Sequence, residues 1–340
     1  MRVGTFSLVV MLACTGEVDS QGAWRSSPEP PGRQEELVLT LQRAYAVPSG
    51  YDIAGGAIAP SGMLVAWSRT RPEILVSDGD TLTVIAYASN SPPIAAAISP
   101  SGDSLDVLVP GGRVLKIIRS GRTIAEEPLL ARLDGEVVAA TKLNPQGWAV
   151  AIGDQNGDVA VYGITSRGGR KLLHRYLRQS LRTSLPDSLA RVRLHLQPTS
   201  TGEVLSTLWW KPFTTSILRA GGGPARSFSI PEFLQEAGLA AIPVSETDSL
   251  ARHTLLSLPV IPLDDGYLRV MSDLGSDSRW LVRHDKNGTV VRIAALDAPF
   301  GLLAATEPGK LLLGARRTSR LELVVYNWCW GCGKQIGGRQ

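Results

Sequence analysis

Cysteine is scarce in this 340-residue chain: three residues, at 14, 329 and 332, are too few for a disulfide-stapled scaffold. The four histidines at 174, 195, 253 and 284 show no spacing with acids or cysteines that would hold a metal. No Gly-x-Ser-x-Gly elbow, phosphate-binding loop or dinucleotide fingerprint occurs. Net charge is only +4, so the overall balance does not call for nucleic acid. Beyond residue 35 the apolar runs are strand-sized, short of the ~20 residues of a transmembrane helix. What is abundant is punctuation. The chain holds 35 Gly and 22 Pro, too many for a long-helix protein, and its 44% hydrophobic content is too high for a disordered one.

The N-terminus reads as a targeting segment. Arg2 supplies a positive charge and Phe6 to Ala13 an apolar run too short to cross a bilayer but suited to a secretory signal. The run ends at Met11-Leu12-Ala13-Cys14, which resembles the lipobox of bacterial lipoproteins, with Met11 where Leu is more usual. The resemblance covers about fourteen residues. It implies cleavage after residue 13, lipidation of Cys14, and, with Thr15 rather than Asp following, sorting to the outer membrane or cell surface. Residues 14–35 are polar and rich in Pro, Gly and Ser, as a flexible tether should be.

One pattern recurs after residue 50: strand, Pro-x-Gly turn, strand, polar loop, strand, turn, strand. The clearest turns are Ala59-Pro60-Ser61-Gly62, Ser99-Pro100-Ser101-Gly102 and Asn144-Pro145-Gln146-Gly147, with prolines 40 and 45 residues apart. That period is typical of a four-stranded propeller blade. Blade one is expected at Gly56–Ala59, Met63–Ser68, Glu73–Ser77 and Thr81–Ala86. Later blades are expected over 94–126, 137 to a strand near Lys171, 191–229 and 255–294. A sixth unit, 301–326, is one strand short. Glu36–Leu41, the first apolar run after the tether, would complete it and close the ring. The fold expected over 36–326 is therefore an all-β, six-bladed β-propeller, preferred to a β-sandwich. It resembles propellers of the broad NHL-like or WD40-like kind through period and turns alone, without a family-specific motif.

Recognition is expected on the face bearing the second-to-third-strand loops. These loops carry Arg69 and Arg71 in blade one, Asp154 in three, Trp210 and Lys211 in four, Asp273 in five, and Arg316 and Arg317 in six. Ring closure makes blades one and six neighbours, so four arginines converge; guanidinium forks suit carboxylates and phosphates. Two long insertions join blades on this face. The first contains Arg170, Lys171, Arg175, Arg178 and Arg182, and residues 167–193 hold eight cations against Asp187, a net +7. Leu173, Leu177 and Leu181 recur every fourth residue there, which permits a basic amphipathic helix or simply a solvated insertion. The second, 230–255, opens with Pro231-Glu232 and suits a short helix.

Asp154-Gln155-Asn156-Gly157-Asp158 lacks the closing Glu of a calcium loop and reads as a polar hairpin turn. In the tail, 327–340, Trp328-Cys329-Trp330-Gly331-Cys332 resembles the thioredoxin motif. With only eight residues after Cys332, the simplest account is a Cys329–Cys332 disulfide in an oxidising compartment. The sequence thus points to a membrane-anchored, non-enzymatic binding module of the cell envelope. Its partner is an envelope protein or anionic ligand; no metal and no cofactor is called for. The alternative is a periplasmic hydrolase or lyase of the lactonase kind, which the apolar inner strands IAAAIS, VVAATKL and GLLAA argue against.

Overall fold

The computed structural model describes residues 37–59, 62–68, 70–87, 89–99, 102–118, 123–129, 135–143, 147–165, 169–181, 192–209, 213–219, 226–230, 255–273, 279–296, 300–305, 311–317 and 320–330. The signal and tether therefore lie outside the described residues, as do Arg69, Arg182, Trp210, Lys211 and the 231–254 stretch with its expected helix.

A local turn chemistry sets the architecture. In Ala59–Gly62 the Gly62 N–H donates to the Ala59 carbonyl at 2.8 Å, and in Ser99–Gly102 the equivalent distance is 2.9 Å. Gly62 and Gly102 sit at φ 82° and 77°, a region costly for residues with a Cβ. The same shape recurs without proline at 154–157, 199–202 and 285–288. Where the first residue is Asp it adds a bond of its own. Asp154 Oδ1 accepts from the Asn156 and Asp158 N–H groups, so this stretch is a hairpin turn.

Strand β1 (Leu37–Ala46) precedes the blades. Blade one is β2 (Ile53–Ile58), β3 (Leu64–Ser68), β4 (Glu73–Asp78) and β5 (Thr81–Ala86). Blade two is β6 (Ala95–Ile98), β7 (Ser104–Val109), β8 (Arg113–Ile118) and β9 (Thr123–Pro128). Blade three is β10 (Glu136–Leu143), β11 (Gly147–Gly153), β12 (Val159–Thr165) and β13 (Arg170–Tyr176). Blade four is β14 (Leu194–Pro198), β15 (Glu203–Leu208), β16 (Thr215–Arg219) and β17 (Arg226–Phe228). Blade five is β18 (Leu255–Leu263), β19 (Gly266–Asp273), β20 (Arg279–Asp285) and β21 (Val290–Ala295). β22 (Phe300–Ala305), β23 (Leu311–Arg317) and β24 (Leu321–Trp330) form blade six, with β1 as its fourth strand.

All pairings are antiparallel, and β1 pairs with β24 from Leu37↔Trp330 to Ala46↔Glu322. The ring closes because each innermost strand lies against the next and β22 lies against β2. Both faces of a blade are covered by its neighbours, so second strands read as near-continuous apolar runs; β11 is buried along its length. At the closing seam Tyr45, Leu313, Leu323 and Val325 of blade six pack with Leu64, Ala66 and Leu75 of blade one. Full burial of one such aliphatic side chain is worth about 1.5–3 kcal/mol, so the seam is a structural joint and not a gap.

One expectation fails. No helix spans Leu173 to Leu181. Residues 170–176 are the outer strand of blade three, and only Arg178–Leu181 turns, as a short 3-10 segment. Pairing with the open edge of β12 wins over the helical spacing, with Tyr176 opposite Val159 and Arg170 opposite Ile164. Arg170, Lys171 and Arg175 thus belong to a blade and not to an insertion between blades.

Candidate ligand-binding face

Antiparallel order puts all first-to-second turns on one face. On the other lie the second-to-third loops and the connections between blades. β24 starts on this loop face at Leu321 and ends on the turn face at Trp330. Leu37, opposite Trp330, therefore enters the fold on the turn face. Any N-terminal tether attaches on the side away from the loops.

The blade six–blade one seam is built around Gly50, in the connection from β1 to β2. Its carbonyl accepts from Thr70 Oγ1 at 3.1 Å and from Arg71 Nε at 3.4 Å. The buried Ser68 hydroxyl accepts from the Thr70 N–H at 3.1 Å and the Asp52 N–H at 3.2 Å, tying the blade-one loop to that connection. Gly50 has φ 84°, which favours glycine; the Arg71 guanidinium, 2.6 Å from where a Cβ would stand, is the end of an exposed side chain that could move aside. Arg71 is exposed and lies 6.0 Å from the Tyr51 ring centroid. The Tyr51 hydroxyl donates to Glu73, and burial, helped by that carboxylate, pushes its pKa up to about 12. On the blade-six side the Leu321 carbonyl accepts from the Val47 N–H at 3.0 Å, and Arg320 pairs with Glu322 at 3.5 Å.

The Val47–Leu321 hydrogen bond ties the connection that carries Gly50 to β24, whose partner β23 ends on the loop face at Arg316, opposite Phe300 and Glu322, and Arg317, opposite Leu321. The fold also places two acids there that the sequence reading did not weigh, Glu73 and Glu322. Their signal was present: each sits next to a strand terminus within three residues of a loop arginine. Among the other loop residues singled out, Asp154 is occupied in its own turn, and Asp273 ends β19. Beside the undescribed Trp210, Trp209 stacks on His195 with centroids 4.7 Å apart, and the Arg193 guanidinium lies 5.9 Å from its ring. Arg178 donates its backbone N–H to Asp158. Cys329, on β24 opposite Val38, is disulfide-bonded; Cys332 lies outside the described residues.

A buried polar cluster between blades four and five was not anticipated. Arg269, fully enclosed on β19, donates to the Phe213 carbonyl at 2.8 Å and to Thr215 Oγ1, and lies 5.7 Å from the Phe228 ring. Desolvation pulls its pKa down to about 9. Phe213 takes φ 55°, the one positive value at a non-glycine among the described residues, which presents its carbonyl to the guanidinium. His284, also buried, bonds through Nδ1 to the Gly288 carbonyl at 3.0 Å; burial and the nearby Arg269 charge lower its pKa to about 4. The signal available was position: Arg269 lies mid-strand in a second strand, where both faces are covered. No three His, Cys, Asp or Glu side chains converge as a metal cluster among the described residues.

These features define an all-β, six-bladed β-propeller. Among solved structures the chain is similar to Raptor from Chaetomium thermophilum at 13% identity and a TM-score of 0.50, covering 83% of this chain and 24% of that one. It is also similar to the WD40 propeller domain of Doa1 at 10% identity and a TM-score of 0.50, covering 84% and 96%. A catalytically inactive virginiamycin B lyase from Staphylococcus aureus, solved with quinupristin, matches at 11% identity and a TM-score of 0.46, covering 85% and 99%. The chain spans about a quarter of the length of Raptor and nearly all of the Doa1 domain. At these identities the likeness is one of fold. No protein-family model matches the sequence, and no curated protein matches it.

Proposed function

We propose that this protein is a lipid-anchored propeller of the bacterial cell envelope that binds an anionic ligand, or an acidic segment of an envelope protein, on its loop face. The observation that carries this reading is the closing seam. There the exposed Arg71 rests on a platform of Ser68, Thr70 and Gly50, and a Val47–Leu321 bond joins that connection to blade six, whose β23 ends at Arg316 and Arg317. The turn-face entry of Leu37 supports the anchor at Cys14, since a tether attached there leaves the loops facing away from the lipid. A rigid scaffold with recognition in its loops fits this role. The anchor is tested by fatty-acid labelling of the wild type and Cys14→Ala. The face is tested by crosslinking pull-down from native membranes with wild type and an Arg69→Glu/Arg316→Glu double variant. Loss of label in the first, and of a captured partner in the second, is the expected outcome. Equal capture by both forms would remove the seam from the binding surface.

A further inference from the structure

Every blade ends in an outer strand with one unpaired edge, and β13, like the others, points alternate backbone N–H and C=O groups away from its neighbour. Blade three differs in what that edge carries. Arg170, Lys171 and Arg175 on it are exposed, and so are two leucines beside them: Leu172 is 50% and Leu177 44% exposed. These are two of the five exposed large hydrophobic residues among the described ones. Charges alone would be ordinary protection of an edge; exposed leucines between them are the opposite of protection. The Arg170 guanidinium lies 3.6 Å from the Tyr162 ring centroid, a cation–π contact that steadies this cation at the exposed edge. A register shift opposite Val161/Tyr162 turns Leu173 inward against the core while Leu172 stays outside.

We propose that β13 is a docking edge for an extended acidic peptide segment of a partner protein, which adds to blade three as a fifth strand. Carboxylates on one face of the segment would meet Arg170 and Arg175, which the register sets with Leu172 on a single face of the sheet, and the methylene stems of those acids would cover Leu172. Two other occupants fit less well. A second copy pairing β13 to β13 would set like charges together. A lipid surface offers anionic charge but no backbone to pair with the edge of β13. This docking edge is separate from the loop-face seam and does not depend on it.

The test uses the full-length protein and a fluorescein-labelled octapeptide of alternating Glu and Val, read by anisotropy. An alternating Glu–Pro octapeptide carries the same charge but cannot add as a strand. The expected result is saturable binding of the Glu–Val peptide, at least tenfold weaker for the Glu–Pro peptide, with slowed amide exchange confined to 170–176. Arg170→Glu/Lys171→Glu/Arg175→Glu should weaken binding at least tenfold, while Arg71→Glu leaves it unchanged. If that triple variant fails to fold by circular dichroism, Leu172→Ser/Leu177→Ser, altering only exposed side chains, should weaken binding at least threefold. Equal affinity for both peptides would reduce the edge to a charged patch and overturn strand addition. Absence of peptide binding, with charge-dependent binding to phosphatidylglycerol vesicles instead, would assign the rim to lipid.

Discussion

Acidification offers a direct probe of the joint between blades four and five, through His284. In the folded chain its ring is buried between Phe228 and the Gly288 turn, close to the Arg269 cation, and its pKa is held to about 4 instead of 6.5. Asp285 and the Gly288 carbonyl oppose this depression but do not overcome it. Between pH 6.5 and about 4 the unfolded chain therefore binds a proton that the folded one refuses. Stability from this residue is complete above pH 6.5, falls as pH drops through that window, and is fully lost below about 4. The gap between 6.5 and about 4 corresponds to ~3 kcal/mol of stability lost across that window. Urea unfolding of wild type and His284→Asn at pH 7.5, 5.5 and 4.0 measures it. Asn keeps a donor for the Gly288 carbonyl but takes no proton. The wild type should lose about 3 kcal/mol more than the variant between pH 7.5 and 4.0. Parallel pH profiles for the two proteins would refute the assignment of a buried neutral imidazole.

Four further outcomes follow from packing and chemistry. Trp328→Ala, at a side chain sealed between blades five and six, should cost about 3–5 kcal/mol in the same unfolding assay. Arg269→Ala should cost about 3–5 kcal/mol, because it leaves the Phe213 carbonyl and Thr215 without their donor and opens a cavity. Arg269→Met, which fills the space without burying a charge, should recover most of that loss by thermal melting. For the binding-module reading, elemental analysis of purified protein should find less than one tightly held divalent ion per chain; a stoichiometric ion would favour a lactonase-like enzyme.

The sequence alone determined the blade count and the closing strand, because both rest on local chemistry. A Gly at the fourth turn position fixes the chain reversal wherever it occurs, and the reversals at 59–62 and 99–102 set the period. Glu36–Leu41 was legible as the missing strand, which the fold extends to Leu37–Ala46, because an apolar run between a polar tether and the first blade had nowhere else to pair. Tertiary structure decided the rest, because the competing choices were non-local. The leucine spacing at 173, 177 and 181 is compatible with a helix, and only the open edge of β12 makes 170–176 a strand and its arginines a rim. Arg269 looks like any surface arginine until blade four closes over it and exchanges water for one carbonyl, one hydroxyl and an aromatic face. Arg71 reaches the Gly50 carbonyl through blade one's own pairing, with Ile53 opposite Ser68, and becomes part of a seam only when ring closure bonds Val47 to Leu321 and sets that platform against blade six.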